Sequence, residues 1–317
     1  MKFSTWNAVG LERLSDEIEA AFAPMVSRES RFGDRAWARH VWKRRRRLLR
    51  ASLEHWVQGG PAVETQRSTA AIRDEYEPVW ARGYERYQLQ PKVRHKPFLW
   101  GRRRYWANSM VATRFRQAIL SRIIEHAQPK QVLEVGCGNG INLFLLSCRF
   151  PDIAFTGLEL TEAGHAAATR FQEEHPVLPD AMQAFAPLPL SDPTAFRRIR
   201  FVRGSAEDLP FADGAFDLLM TILALEQMER IRPVALAELA RVTGRHAFLI
   251  EPFRELNDHG WRRFNRIKRD YFAGRVSDLP RFGLQPEFVV ADYPQEVFLR
   301  TCAVLCRKHV TDLPPAP

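Results

Sequence analysis

The chain has 317 residues, of which 45% are hydrophobic and 26% charged, a globular composition with room for an α/β domain and an appendage. Its apolar runs are far shorter than the roughly 18–20 residues of a membrane-spanning helix, so we expect neither a transmembrane segment nor a signal peptide. The net charge of +10 is confined to the first third, because residues 1–107 hold 22 basic and 12 acidic residues and the remainder balances.

The spacing of apolar residues in the first third predicts helices. The pattern predicts them over 10–22, 34–57, 69–89 (broken or kinked by Pro78) and 102–127, with a loop over 90–101. We therefore interpret residues 1–104 as a basic helical N-terminal extension.

The extension contains five consecutive basic residues, Lys43, Arg44, Arg45, Arg46 and Arg47. They span more than one helical turn, so they cannot all face the same way. Three interpretations stay open at this point: a solvated face, contact with RNA phosphates with tryptophans nearby for stacking, or contact with an anionic membrane surface or an acidic substrate.

The pattern changes after residue 107 to short apolar strands that alternate with helices. The candidate strands are 131–135, 153–158, 200–204, 215–221, 246–251, 287–292 and 299–307. This alternation predicts an α/β fold with a seven-stranded, mostly parallel sheet and helices on both faces. We assign the domain to residues 105–317, with an irregular proline-rich insertion over 176–199.

The four cysteines, Cys137, Cys148, Cys302 and Cys306, match no zinc-binding spacing. Cys302 and Cys306 fall in an apolar strand candidate, which favours buried thiols over a disulfide. We expect no metal site, and a reducing cytoplasmic location.

The sequence "VLEVGCGNG" places Gly136, Gly138 and Gly140 directly after a strand candidate. Closely spaced glycines let a ligand approach the backbone at the carboxyl edge of a sheet. The spacing is neither G-x-G-x-x-G nor that of a P-loop, which disfavours NAD and nucleoside triphosphates. The acid that precedes the glycines, Glu134, suits a ligand with an amino group or a cationic centre.

These residues resemble motif I of the class I S-adenosylmethionine-dependent methyltransferases. "FTGLELT", "VRGSAEDLPFADGAFDLLM" and "ELARVTGRHAFLIEPF" resemble the later family segments in the same order. The resemblance covers roughly residues 105–308. It implies a Rossmann-like fold, S-adenosyl-L-methionine as cofactor, and Glu159 as the acid that binds both ribose hydroxyls.

The resemblance also implies a set of cofactor-binding residues. They are Glu134, Gly136, Cys137, Gly138, Asn139, Gly140, Glu159, Leu160, Ser205, Ala206, Glu207 and Leu223. One departure concerns the adenine contact, since the family usually has Asp where this chain has Ser205; Glu207 or Asp208 would then substitute. Glu251 ends a strand candidate at the same edge, as either a site or a structural residue.

The implied reaction is transfer of a methyl group to the oxygen or nitrogen of a small molecule. The segment "TILALEQM" lacks the proline-aromatic motif of nucleic-acid base methyltransferases. Candidate catalytic residues are Glu226, His259 and Tyr271, and Tyr105 and Trp106 are candidates for covering the cofactor. The alternatives are an RNA methyltransferase that holds RNA with the extension, and a non-catalytic cofactor-binding regulator or scaffold.

Overall fold

The computed structural model describes residues 3–57, 68–80, 82–90, 94–268 and 272–309. The α-helices are α1 (Leu14–Phe22), α2 (Arg35–Val57), α3 (Thr69–Trp80), α4 (Val111–Ala127), α5 (Ile141–Arg149), α6 (Glu162–Glu174), α7 (Asp180–Phe185), α8 (Arg232–Val242), α9 (Arg254–Asn257) and α10 (Gly260–Lys268). The strands are β1 (Val26–Glu29), β2 (His95–Trp100), β3 (Arg103–Asn108), β4 (Gln131–Val135), β5 (Ala154–Glu159), β6 (Arg200–Arg203), β7 (Phe216–Ile222), β8 (Thr243–Glu251), β9 (Leu284–Val290), β10 (Gln295–Glu296) and β11 (Cys302–Lys308).

Seven strands form the main sheet in the order β6-β5-β4-β7-β8-β11-β9. The five strands from β6 to β8 are parallel, and β11 runs antiparallel to both of its neighbours. All seven strand candidates of the sequence lie in this sheet, which confirms the predicted α/β fold. The strand order reverses at β4, where the glycine-rich segment leaves the sheet, and such a point is where ligands bind in open α/β sheets.

Both faces of the sheet are buried by helices, as the near-continuous apolar strands require. Val132 and Leu218 belong to the core that packs under α1, α4 and α5, whereas Leu133 and Leu219 pack under α8 and the 3-10 helix Val276–Phe282. Alternate strand residues thus point to opposite faces.

The first third departs from the all-helical expectation. Segment 95–108, predicted as a loop followed by a helix, instead forms the hairpin β2–β3, which joins β1 and β10 in a four-stranded sheet. Phe98 and Tyr105 lie opposite each other in the hairpin, and both are buried against Phe22 of α1. Strand β3 crosses residue 104, where the sequence placed the end of the extension.

The predicted insertion 176–199 contains the short helix α7 and a 3-10 helix over Ala195–Arg198, with Phe185 and Phe196 fully buried. All four cysteines are buried and form no disulfide. Among the described residues, no helix has both the length and the apolarity to cross a bilayer.

Candidate functional site

The glycine-rich segment after β4 needs its glycines for two reasons. Gly136, Gly138 and Gly140 have φ values of 77°, 57° and 78°, in the left-handed region that favours glycine. A β-carbon on Gly136 would also lie 2.5 Å from Ala224 Cβ, and one on Gly140 would lie 2.8 Å from the Phe201 ring. The backbone therefore turns tightly from β4 into α5 with no room for side chains.

A cavity of about 300 Å³ lies at this turn, at the carboxyl edge of the sheet. Ten of the residues predicted for the site line it: Glu134, Gly136, Cys137, Asn139, Glu159, Leu160, Ser205, Ala206, Leu223 and Glu226. Gly138 and Gly140 shape the loop below the cavity, and Glu207 lies outside the lining with its carboxylate bonded to the Ser205 hydroxyl. The sequence thus predicts part of the cavity wall, including the carboxylates of Glu134, Glu159 and Glu226.

Glu159 ends β5 and is only 5% exposed. One carboxylate oxygen accepts from the Gly138 N–H at 2.8 Å, and the other accepts from the Thr161 N–H at 2.9 Å and the Thr161 hydroxyl at 2.7 Å. The carboxylate therefore links the end of β5 to the glycine loop. These bonds use three of the four lone-pair sites of the carboxylate, and Oε2 keeps one, which suits a ligand with a hydroxyl donor such as a ribose.

Glu134 lies in β4 and is 1% exposed. One carboxylate oxygen accepts from the Asn142 side-chain amide at 2.7 Å, whereas the other, Oε2, is buried without a hydrogen-bond partner among the described residues. Burial raises the pKa of this carboxyl from 4.5 to about 8. A buried acceptor without a donor fits the ammonium group of a bound amino-acid moiety, which would satisfy Oε2 and favour its ionised form.

Two further polar groups reach the same wall. The Asn139 side-chain nitrogen has no hydrogen-bond partner among the described residues, and neither has Nε of Arg116 on α4. Arg116 is the one cationic side chain in the described lining. Amide and guanidinium donors in the same lining as the Glu134 acceptor can complement both ends of an amino acid, so the donor set fits the methionine part of S-adenosylmethionine. The sequence analysis missed Arg116, which stands in an ordinary amphipathic helix pattern.

Helix α3 covers the glycine loop from the first third of the chain. The Glu77 carboxylate accepts from the backbone N–H groups of Glu162 and Ala163 at 2.9 and 2.8 Å, at the N-terminus of α6. The Tyr84 hydroxyl donates to the Asn139 carbonyl at 2.7 Å. Four side chains of α3 line the cavity: Thr69, Ile72, Tyr76 and Trp80.

The residues expected to cover the cofactor lie elsewhere. Tyr105 packs edge-on against Phe22, and Trp106 packs against Trp37 and His40, so both belong to the small sheet. The aromatic residues at 76, 80, 84 and 87 were the signal in the sequence for the segment that does cover the loop. The helix predicted over 69–89 ends at Trp80, and residues 82–90 form bends and turns instead.

Glu251, for which the sequence allowed either a site role or a structural role, holds the loop after β7. Its carboxylate accepts from the N–H groups of Ala224, Leu225 and Glu226 at 3.1, 3.0 and 3.2 Å. The side chain is fully buried, and burial raises its pKa to about 7. Glu251 therefore fixes the loop that carries Leu223 and Glu226, and Leu223 there has a φ of 57°.

The three catalytic candidates have different positions. Glu226 lines the cavity and is 6% exposed. His259 is exposed in the bend between α9 and α10, beside a separate surface depression with Arg45 and Trp261, so it does not reach the cavity. Tyr271 lies outside the described residues.

Burial raises the pKa of the Cys137 thiol far above its usual range, so this lining residue stays protonated.

Comparison with known proteins agrees with this geometry. A family model described as a methyltransferase domain matches residues 133–250. A segment of 113 residues, 36% of the chain, is 33% identical to a probable phthiotriol/phenolphthiotriol dimycocerosates methyltransferase 2 from Mycobacterium ulcerans. A segment of the same length is 32% identical to a fatty-acid O-methyltransferase from Mycolicibacterium smegmatis. The matches span 35% and 33% of these relatives, about a third of their length.

Among solved structures, magnesium protoporphyrin IX methyltransferase from Synechocystis with bound S-adenosylhomocysteine superposes with a TM-score of 0.50 at 12% identity. The superposition covers 76% of this chain and all of that chain, and it shows a shared fold. Four observations point to the same kind of domain: the glycine loop, the acid at the end of β5, the strand order and the family match. Residues 133–250 thus match a methyltransferase domain, the kind of domain that uses S-adenosylmethionine as cofactor, and the fold around them is shared with a methyltransferase.

Proposed function

We propose that the protein transfers the methyl group of S-adenosylmethionine to an oxygen atom of an apolar small molecule. The observation that carries the proposal is the composition of the cavity. The same cavity has apolar lining residues from α3 (Ile72), from the end of β7 (Ile222) and from the segment after β7 (Met228), in addition to Glu134 and Glu159. An apolar wall next to the cofactor residues suits an acceptor with a hydrocarbon body.

The names of the relatives support the same acceptor class. One specifies a fatty acid and its oxygen, and the other specifies a triol. Both compounds present an oxygen nucleophile on a largely apolar molecule. We infer that this chain acts on a hydroxyl or carboxylate of a lipid-like acceptor.

The chain's own residues would hold and align the two reactants. Bound S-adenosylmethionine supplies a sulfonium methyl group, whose bond electrons return to sulfur as the acceptor oxygen bonds to the methyl carbon. Glu134 and Glu159 hold the two polar ends of the cofactor. Leu223 and Glu226, fixed by Glu251, border the place where the acceptor meets it, so that alignment lowers the barrier.

Glu226 is the residue that we assign to proton acceptance when the acceptor is a hydroxyl group. It is the buried carboxylate that the loop after β7 presents to the cavity. A fatty-acid carboxylate has already lost its proton at neutral pH, so it would need no base. The two acceptor types should therefore respond differently to loss of Glu226.

The test uses methyl-labelled S-adenosylmethionine with long-chain alcohols, fatty acids and an RNA preparation. Glu226→Gln should slow transfer to alcohols by about a hundredfold or more, as expected for loss of a general base, and change transfer to fatty acids little. His259→Gln is the matched control and should keep the wild-type rate, because His259 does not reach the cavity. Transfer of label to RNA but to neither lipid class would contradict the proposal. Unimpaired transfer to an alcohol by Glu226→Gln would contradict the assignment of Glu226 as the base.

A further inference from the structure

Helices α2 and α10 lie side by side, and both are strongly basic. Helix α2 holds eight basic residues and one acid, and α10 holds four basic residues and no acid. Arg44 donates to the Asn265 side-chain oxygen at 3.1 Å, and the Arg45 guanidinium lies 5.2 Å from the Trp261 ring centroid. These contacts join the two helices into one surface, which we call the basic face.

Helix α2 packs against the rest of the protein through a narrow row of buried side chains. Trp37 and Leu48 are buried at 6% and 1% exposure, and Trp37 packs edge-on against Trp106. The opposite side carries Trp42, Leu49 and Leu53, which are 55%, 44% and 60% exposed. At roughly 100° per residue, Leu49 and Leu53 each fall about 20° from Trp42, so the three form one outward stripe.

Arginines flank this apolar stripe on both sides. On the same helical projection Arg46 and Arg39 fall about 40° and 60° to one side of Trp42, and Arg45 falls about 60° to the other. The Arg46 guanidinium lies 4.7 Å from the Trp42 ring centroid. The outward side of α2 is therefore apolar along its middle and cationic at its margins.

The exposed large apolar side chains of the molecule concentrate here. Of the seven found among the described residues, five lie on α2, on α10 or just before α2: Phe32, Trp42, Leu49, Leu53 and Phe264. Phe32 is 97% exposed. Single exposed apolar residues are ordinary, but a cluster of this kind marks an interaction surface.

We propose that the basic face docks the protein on the surface of an anionic phospholipid bilayer. In a helix that lies in the membrane interface, apolar side chains enter between the headgroups and basic side chains meet the phosphates. The stripe with its cationic margins has this arrangement, and α2 is 23 residues long, about 35 Å. RNA would use the arginines, but Leu49 and Leu53 offer it no stacking surface.

The inference does not depend on the proposed acceptor. Sedimentation of the full chain with vesicles of phosphatidylcholine alone, or with about a third phosphatidylserine, tests it at low and moderate salt. We expect binding to the anionic vesicles, at least tenfold weaker binding to neutral vesicles, and weakening as salt rises. Two variants separate the contributions: Lys43, Arg46 and Arg50 replaced by Gln, and Trp42, Leu49 and Leu53 replaced by Ser.

Both triple variants should lose at least tenfold in affinity for anionic vesicles and keep the calorimetric affinity for S-adenosylhomocysteine, which checks that they fold. Val177→Ser with Val234→Ser is the matched control, because it removes exposed apolar side chains away from the basic face and should bind vesicles as the wild type does. The proposal is overturned if the wild type binds no anionic vesicles at low salt, if the apolar variant binds undiminished, or if transfer RNA is bound and vesicles are not.

Discussion

A β-carbon on Gly138 would lie 2.5 Å from the ring of Trp80, so a residue of the first third of the chain packs directly on the glycine loop. Trp80 ends α3 and stacks on Tyr76, with 6.0 Å between ring centroids. Because α3 is also held at α6 through Glu77, the first third completes the wall of the cavity.

Replacing Trp80 by Ala should therefore weaken cofactor binding although the ring lies outside the methyltransferase family match. Loss of an aromatic contact of about 0.5–1.5 kcal/mol corresponds to a rise in Kd of about twofold to tenfold. Calorimetric titration with S-adenosylhomocysteine measures it. Trp42→Ala, which removes an exposed tryptophan, should leave the Kd unchanged. Equal effects of the two variants would show that α3 does not close the site.

Glu159→Ala should weaken cofactor binding at least about tenfold while the protein stays folded. The carboxylate both orders the loop, through the Gly138 N–H, and keeps one acceptor site for a ribose hydroxyl. Hydrogen bonds to charged groups contribute about 1.5–3 kcal/mol each. The same titration measures the loss. Glu173→Ala removes an exposed carboxylate from α6 and serves as the control. A normal Kd for Glu159→Ala would mean that another acid binds the ribose.

The raised pKa of Glu134 predicts a pH dependence of stability. Below about pH 4.5 the carboxyl is protonated in both states, and between 4.5 and about 8 only the unfolded chain ionises. As the pH rises from 4.5 to about 8, the free energy of unfolding of the wild type should therefore fall relative to that of Glu134→Gln, by up to about 1.4 kcal/mol per pH unit. Above about pH 8 the difference should stay constant. Urea unfolding of both proteins at pH 5, 6.5 and 8.5 measures the difference.

Saturating S-adenosylhomocysteine should reduce the pH dependence of this stability difference, because the ammonium group of the ligand favours the ionised carboxylate of Glu134. Parallel stability profiles for the wild type and Glu134→Gln without ligand would argue that Oε2 already has a partner, and would remove the assignment of the amino group to this residue.

Glu251→Ala should destabilise the protein by at least about 3 kcal/mol, because three backbone N–H groups lose their acceptor and each buried unsatisfied donor costs about 1–3 kcal/mol. Glu251→Gln keeps one oxygen, which accepts from Ala224 and Leu225, so its loss should be smaller. Denaturant unfolding ranks the three proteins. If the two variants are equally stable, Glu251 does not hold the loop through these bonds.

The main sheet was predictable from the sequence because its strands are short apolar runs between helices, and each run carries its own signal. The four-stranded sheet, in which β3 pairs with β1 and β2 and β2 pairs with β10, was not predictable in this way. Its formation brings Phe98 and Tyr105 against a helix more than 70 residues earlier in the chain. A segment as rich in Arg and Pro as 90–104 gives no local sign of that packing.

The candidate site also contains residues that the sequence predicted and residues that it did not. Glu134, Glu159 and the glycines were identified because they adjoin strand ends, where motif and chemistry coincide in the sequence. Trp80 and Arg116 were missed because tertiary packing alone brings α3 and α4 to the loop. His259 was predicted from the family resemblance of its segment and from the chemistry of imidazole, and the bend after α9 places it at another surface.

Calorimetric titration of S-adenosylmethionine into the wild type and Gly138→Val tests the central claim most directly. The account predicts one cofactor per chain for the wild type, and a loss of affinity of at least about tenfold for the variant, because a branched side chain at φ 57° would displace the loop from Trp80 and Glu159. Absence of binding to the wild type, or an unchanged Kd for a folded Gly138→Val protein, would contradict it.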